Sequence, residues 1–273
     1  MNTNKIRRWI FPLLVPFLIV FALSQVSGVG HGVATQHADI DLHDKASLQN
    51  GAKYYMNYCM GCHSLKFSRY NRMAEDMGLN EANDFTADEV AALLKENMIF
   101  TRDEEGNQDK VGSLMKNAYS SKAASEAFGT AVPDLSLVGR SRGTDWIYSY
   151  LKGFYTDPSR PMGVNNTIFK DVGMPNVLWE LQGTQELDHA DDHGDSDDHG
   201  GHGAKAKLKL TKPGKMSEAE FDKVALDITN FLTYVSEPAQ LSRYTIGVFV
   251  LLFLLILWGL SYLLSREYWK DIH

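Results

Sequence analysis

Cysteine is nearly missing from this 273-residue chain: there are only 2, at positions 59 and 62. No disulfide framework can be built beside them, and no second motif that needs a pair of cysteines is possible. Excess positive charge is missing too. The chain has 34 acidic against 27 basic residues, a net charge of −7 and an isoelectric point near 5.7. That balance argues against nucleic acid and for basic partners. No internal repeat, phosphate loop, Ser/His/Asp set or paired-carboxylate arrangement argues for independent catalysis. Strand-like alternation is weak, so the local pattern reads as mainly helical.

What is present is concentrated in the run Cys59, Met60, Gly61, Cys62, His63. Such a CxxCH run supplies two thiols that can add across the vinyl groups of haem, followed by a histidine able to ligate the iron. A redox dithiol would need a βαβ setting, and zinc would need two more ligands at suitable spacing; neither is evident. The reading is one covalently attached haem c.

Two apolar segments lie at opposite ends. Residues 1–30 carry Lys5, Arg7 and Arg8, then an apolar run to Leu23, then small and polar residues. This is the order of a secretory signal peptide, with an uncleaved N-terminal anchor as the alternative; Pro12, Pro16 and the shortness of the run favour cleavage. Residues 241–265 contain an uncharged stretch from Tyr244 to Ser265. As a helix it would measure roughly 33 Å at ~1.5 Å per residue, enough to cross a hydrocarbon core of ~30 Å. Tyr244, Tyr262, Tyr268 and Trp269 sit near its ends, as interfacial aromatics do. The basic start stays in the cytoplasm, so residues 31–240 face the periplasm and residues 266–273 form a short cytoplasmic tail of a bacterial inner-membrane protein.

Helix starts are legible. Asp44 can cap a helix over 46–58 that runs into the CxxCH motif. Thr86 with Glu89, and Ser217 with Glu220, have the spacing of capping boxes. Residues 146–154 form a shorter candidate started by Thr144 or Asp145, and Glu237 with Pro238 marks a boundary before the apolar segment. Residues 188–203 are almost wholly Asp, His and Gly, which predicts a flexible insertion. Metal binding by His189, His193, His199 and His202, or attraction of a basic protein by the six aspartates, are the alternatives to a solvated acidic loop.

Electron transfer calls for a second axial ligand on the iron. The remaining histidines are poorly placed for it, and methionine sulfur favours the reduced iron. Met174, between Gly173 and Pro175 in a constrained loop, is the first candidate; Met162 is the second. Arg140 and Arg142 offer guanidinium groups for the haem propionates, against the reading of an ordinary surface pair. A haem enzyme with an open sixth position, and a metal-storage membrane protein built around the Asp/His tract, are the rival readings.

The segments 58–65 (YCMGCHSL), 133–136 (PDLS), 142–146 (RGTDW), 173–177 (GMPNV) and 266–270 (REYWK) together resemble the cytochrome c1 family. These are the haem subunits of ubiquinol–cytochrome c oxidoreductase, the cytochrome bc1 complex, here in bacterial form. The resemblance runs from about Asp39 to the C-terminus. It implies a mostly α fold: a cytochrome c-type haem domain with long loops plus a single C-terminal transmembrane helix. It also implies Cys59 and Cys62 as thioether attachments, His63 and Met174 as iron ligands, Arg142 ahead of Arg140 at a propionate, and Pro133 near the haem. The implied partners are cytochrome b, the Rieske iron–sulfur protein as donor, a cytochrome c as acceptor, membrane lipid, and a dimeric multisubunit complex. Two features depart from the family. The Asp/His tract matches no fixed pattern, and the family's doubled proline is Val132 followed by Pro133.

Overall fold

The computed structural model describes residues 34–80, 84–117, 119, 121–188 and 207–270. The expected signal region 1–30 and all of the Asp/His tract except Asp188 lie outside the described residues. The fold is organised around two helices distant in sequence. Helix α1 (Lys45–Tyr58) begins at Asp44, whose carboxylate accepts the Ser47 N–H. Further on come α2 (Tyr70–Asp76), α3 (Ala87–Asn97), α4 (Ser121–Phe128), α5 (Val138–Ser141), α6 (Thr144–Lys152), α7 (Trp179–Gln182), α8 (Glu218–Ser236) and α9 (Gln240–Tyr268). Both predicted capping boxes form, at Thr86/Glu89 on α3 and Ser217/Glu220 on α8.

Helix α8 is the hub. Its apolar spacing places Phe221, Val224, Ala225, Ile228, Phe231, Leu232 and Val235 in the core. The Tyr55 ring of α1 meets Phe231 at 5.5 Å, and both are fully buried. Between them, Asp227 accepts from Ser47 Oγ at 2.7 Å and Asn50 Nδ2 at 2.5 Å, so a buried carboxylate is satisfied across the helix pair. Helices α5 and α6 join the same hub: Gly139 N–H donates to Ser236 Oγ at 2.8 Å, and Lys152 pairs with Asp222 at 2.5 Å.

The mostly helical fold also holds short strands whose alternation is weak. Among the described residues there are three two-stranded antiparallel sheets: β1 (Leu65–Arg69) with β2 (Leu114–Met115), β3 (Phe154–Thr156) with β4 (Val164–Asn166), and β5 (Gly183–Leu187) with β6 (Leu208–Pro213). Strands β2, β3 and β4 are too short to register a two-residue period, and the first and third pairs carry register shifts. Strands β5 and β6 pair on either side of residues 189–206, with Asp188 N–H bonded to the Lys207 carbonyl at 2.9 Å. The helix expected over 146–154 instead starts at Thr144 and stops at Lys152, because Phe154 pairs with Asn166.

Helix α9 is 29 residues long, about 43 Å at ~1.5 Å per residue, and none of its side chains is buried. It is long and apolar enough to cross a membrane and extends slightly beyond the expected 241–265 at both ends. The break before it falls at Glu237 and Pro238, as expected.

Candidate functional site

The CxxCH run is a continuation of α1. Cys59 and Met60 both donate to the Tyr55 carbonyl at 2.9 Å, and Cys62 and His63 donate to the Cys59 carbonyl at 3.0 and 2.8 Å. One tight turn therefore holds both thiols and the imidazole together. The cysteines are not joined as a disulfide. Cys59 is buried, and that burial, with the neighbouring Cys62 sulfur second, pushes its thiol up to about 12. A thioether carries no charge to be desolvated, so this environment suits an alkylated sulfur better than a thiolate.

His63 is buried, and its Nδ1 lies 2.8 Å from the Pro133 carbonyl oxygen. A carbonyl can only accept, so the proton is on Nδ1 and the Nε2 lone pair remains available. Burial lowers the imidazole pKa; the Pro133 hydrogen bond and the Asp134 charge oppose it. The neutral ring is the form that binds a metal. The Tyr55 hydroxyl donates to the His63 carbonyl at 2.6 Å, so the α1–α8 core reaches directly to this residue.

The 133–136 segment is laced to the same stretch. Leu135 N–H donates to the Ser64 carbonyl at 3.0 Å, Lys66 N–H to Asp134 at 3.0 Å, and Phe67 N–H to Ser136 Oγ at 3.1 Å. Asn117 donates through its side chain to the Cys62 carbonyl and through its backbone to Ser64 Oγ. Asn117 was not singled out from the sequence, because nothing in its local pattern reveals partners this far along the chain. Asp134 and Ser136 were visible only as members of a motif.

The second group is built on α6. Trp146 and Tyr150, one turn apart, share one face of α6, and Arg142 stands just before that helix as the C-cap residue of α5. The Arg142 guanidinium sits 5.1 Å from the Trp146 ring, Trp146 and Tyr150 stack at 4.9 Å, and the Tyr150 hydroxyl donates to Met174 Sδ at 3.4 Å. Met174 is half-buried. Its loop is pinned at Asp171, which takes a positive φ of 61°, pairs with Arg160 at 3.1 Å and donates its N–H to Asn165 Oδ1. Met162 is 40% exposed and lines a cleft of about 440 Å³ with Phe154, Pro175, Val177 and Trp179. Arg140 is exposed; among the described residues neither it nor Arg142 has a carboxylate partner.

The contacts thus bring Pro133 to His63, and Arg142 to Met174 by way of Trp146 and Tyr150. The segment from Pro133 to Arg142 connects the two groups. Among the described residues no cluster of three or more His, Cys, Asp and Glu side chains could hold a bare metal ion. The donor set fits haem c: two thiols in one turn, a neutral imidazole held through its far nitrogen, and a restrained thioether.

The model of the Cytochrome C1 family matches residues 36–199 and 214–272. Cytochrome c1 of Allochromatium vinosum is 46% identical, over 96% of this chain and 99% of that protein. The ammonia monooxygenase gamma subunit of Nitrosomonas europaea is 40% identical, over 96% and 95% respectively. The mitochondrial cytochrome c1 heme protein of Schizosaccharomyces pombe is 31% identical, over 84% of this chain and 68% of that protein. With matches of this extent spanning both groups and the C-terminal helix, the chain belongs to the cytochrome c1 family, the membrane-anchored electron-transfer subunits of the bc1 complex that carry one covalently attached haem c.

Proposed function

We propose that this chain accepts one electron from the Rieske iron–sulfur protein and passes it to a cytochrome c, through a haem attached at Cys59 and Cys62 and ligated by His63 and Met174. The observation that carries the reading is the 2.8 Å contact between His63 Nδ1 and the Pro133 carbonyl. It fixes the tautomer, aims Nε2 away from the protein backbone and raises the basicity of the ring as a ligand. When bound, the haem supplies a one-electron iron couple whose potential a thioether ligand raises. The protein's part is to hold that ligand pair, exclude competing ligands and set the charge around the site.

Arg142, held against Trp146, is the first propionate partner, with Arg140 the second. Pro133 acts through its carbonyl. Residues 1–30 direct export, or anchor the chain if they are retained. Residues 31–240 then lie in the periplasm, residues 241–265 cross the inner membrane among lipid and cytochrome b, and residues 266–273 return to the cytoplasm. The complex is a dimer, and quinol is oxidised on cytochrome b rather than here.

Haem staining after denaturing electrophoresis, together with optical spectra of Met174→Leu and Met162→Leu, tests the assignment. Haem should remain on this polypeptide through denaturation. Met174→Leu should turn the low-spin spectrum high-spin or ligand-exchanged with a lowered potential, while Met162→Leu leaves it unchanged. Haem released on denaturation would overturn the attachment, and reversed behaviour of the two leucine variants would overturn the ligand.

A further inference from the structure

We propose that the Tyr150 hydroxyl tunes the haem potential by donating a hydrogen bond to the Met174 sulfur. This inference rests on Met174 being the axial ligand. The Tyr150 Oη lies 3.4 Å from Met174 Sδ, and among the described residues no other side chain is bonded to that sulfur. A hydroxyl must donate here, since a thioether has no proton to give.

The tyrosine is not free to turn away. Its ring is stacked on Trp146 at 4.9 Å and 10° on one side and meets Phe154 edge-on at 5.2 Å and 72° on the other. Its backbone carbonyl accepts from Asn166 Nδ2 at 2.8 Å and from Gly153 N–H at 3.2 Å. A phenol is protonated throughout the physiological range, so the group is a donor there. Asn166 lies in β4, and Asn165 beside it holds the Asp171 N–H. One hairpin therefore braces both the donor and the loop of the acceptor.

A thioether sulfur has two lone pairs. With one directed at iron, the other is the acceptor for the tyrosine proton. Drawing density from sulfur weakens its donation to ferric iron more than to ferrous iron, so the bond favours the reduced form. It also selects which lone pair faces the metal, and so the handedness at the sulfur. Tyr150 touches the ligand and not the reacting atoms, which makes it a positioning and tuning residue.

Tyr150→Phe removes one oxygen and keeps both ring contacts, so the site stays assembled. The variant is measured in the intact membrane complex by redox titration and by the optical band from methionine sulfur to ferric iron. The expected result is a retained low-spin spectrum, a shifted sulfur-to-iron band, and a lowered potential. At fixed solution potential the ferrous-to-ferric ratio should fall roughly two- to tenfold, the upper figure corresponding to about 59 mV for one electron. In a Met174→His background, where the sulfur is gone, Tyr150→Phe should shift nothing. An unchanged potential and band in Tyr150→Phe, while Met174→Leu still abolishes the sulfur-to-iron band, would overturn the tuning role alone. A sulfur-to-iron band surviving Met174→Leu would overturn the ligand reading and this inference with it. Equal shifts from Tyr150→Phe in both backgrounds would assign the effect to packing and refute the hydrogen bond.

Discussion

Gly51 is where the helix carrying the haem motif comes closest to α8, and Gly51→Ala measures how much that approach matters. A Cβ built there lies 2.7 Å from the carbonyl carbon of Asp227 and 2.8 Å from the Phe231 Cβ, and nearer still to the Asp227 carbonyl oxygen. Non-bonded carbons settle at ~3.5–4.0 Å, so α1 and α8 must part by about 1 Å. Two of the opposing atoms are backbone, which cannot rotate out of the way. Alanine would gain about 1 kcal/mol in helix propensity. Against that stand ~1–3 kcal/mol or more for overpacking and about 1 kcal/mol for each stretched bond from Ser47 and Asn50 to Asp227. The net loss is about 2–4 kcal/mol, equivalent to roughly 5–15 °C in the melting temperature of a domain this size. Gly112, with no atom within 4 Å of its added Cβ, is the control, and Gly112→Ala should change stability by less than ~0.5 kcal/mol. Thermal scans followed by circular dichroism in the haem Soret band compare the two. A Gly51→Ala protein that melts at or above the wild-type temperature would refute the close approach.

The two capping boxes make an acid-dependent prediction. Glu89 and Glu220 accept the backbone N–H, and then the hydroxyl, of Thr86 and Ser217, which lowers both below the ordinary value of 4.5. Groups depressed in the folded state stabilise it fully above their unfolded pKa and lose that contribution as pH falls through the folded one. Amide protection factors, corrected for the intrinsic exchange rate at each pH, should therefore fall in the first turns of α3 and α8 on acidification below pH 4.5, and Glu89→Gln should abolish the response in α3 only; a response in α3 that survives the substitution would contradict it. Truncation after Pro238 should release a soluble fragment that keeps its low-spin haem and reduces cytochrome c faster at low salt, without quinol oxidation. A fragment that stays with the membrane, or loses its haem spectrum, would count against α9 as a separate anchor.

What the sequence made legible was local. Asp44, Thr86 with Glu89, and Ser217 with Glu220 announce helix starts because a cap needs only a side chain and an N–H two or three residues on. The long apolar run announces α9 for the same reason, since a helix satisfies its own backbone. The ends of α9 were less clear, because polar residues from Gln240 and out to Tyr268 continue the helix beyond the apolar stretch. The short strands escaped because their pairing is a property of two segments. Phe154 ends α6 by bonding to Asn166, which no inspection of residues 144–154 would reveal. The site divides in the same way. CxxCH specifies its chemistry within five residues, and a Met flanked by Gly and Pro stands out in its loop. The hydrogen bonds from His63 to Pro133, 70 residues away, and from Tyr150 to Met174, 24 away, exist only after folding.

Those long-range contacts also explain how a loop-rich domain can keep a ligand set rigid. Tyr55 is held between Phe231 and the His63 carbonyl, so the backbone of His63 is referred to the core of α8, while the Pro133 carbonyl orients the ring. The same helix receives α5 through Ser236 and α6 through the Asp222–Lys152 pair, and α6 carries the Trp146 and Tyr150 face that reaches Met174. Both groups of site residues are therefore referred to one structural element. That element ends at Ser236, and only Glu237, Pro238 and Ala239 intervene before α9. Arg243 pairs with Glu237 at 2.6 Å across the junction, and Leu241 packs on the core. A connection this short has little of the slack of a flexible linker, whose reach grows as the square root of its length. The height of the electron-transfer site above the start of the apolar helix is thereby set by the fold itself.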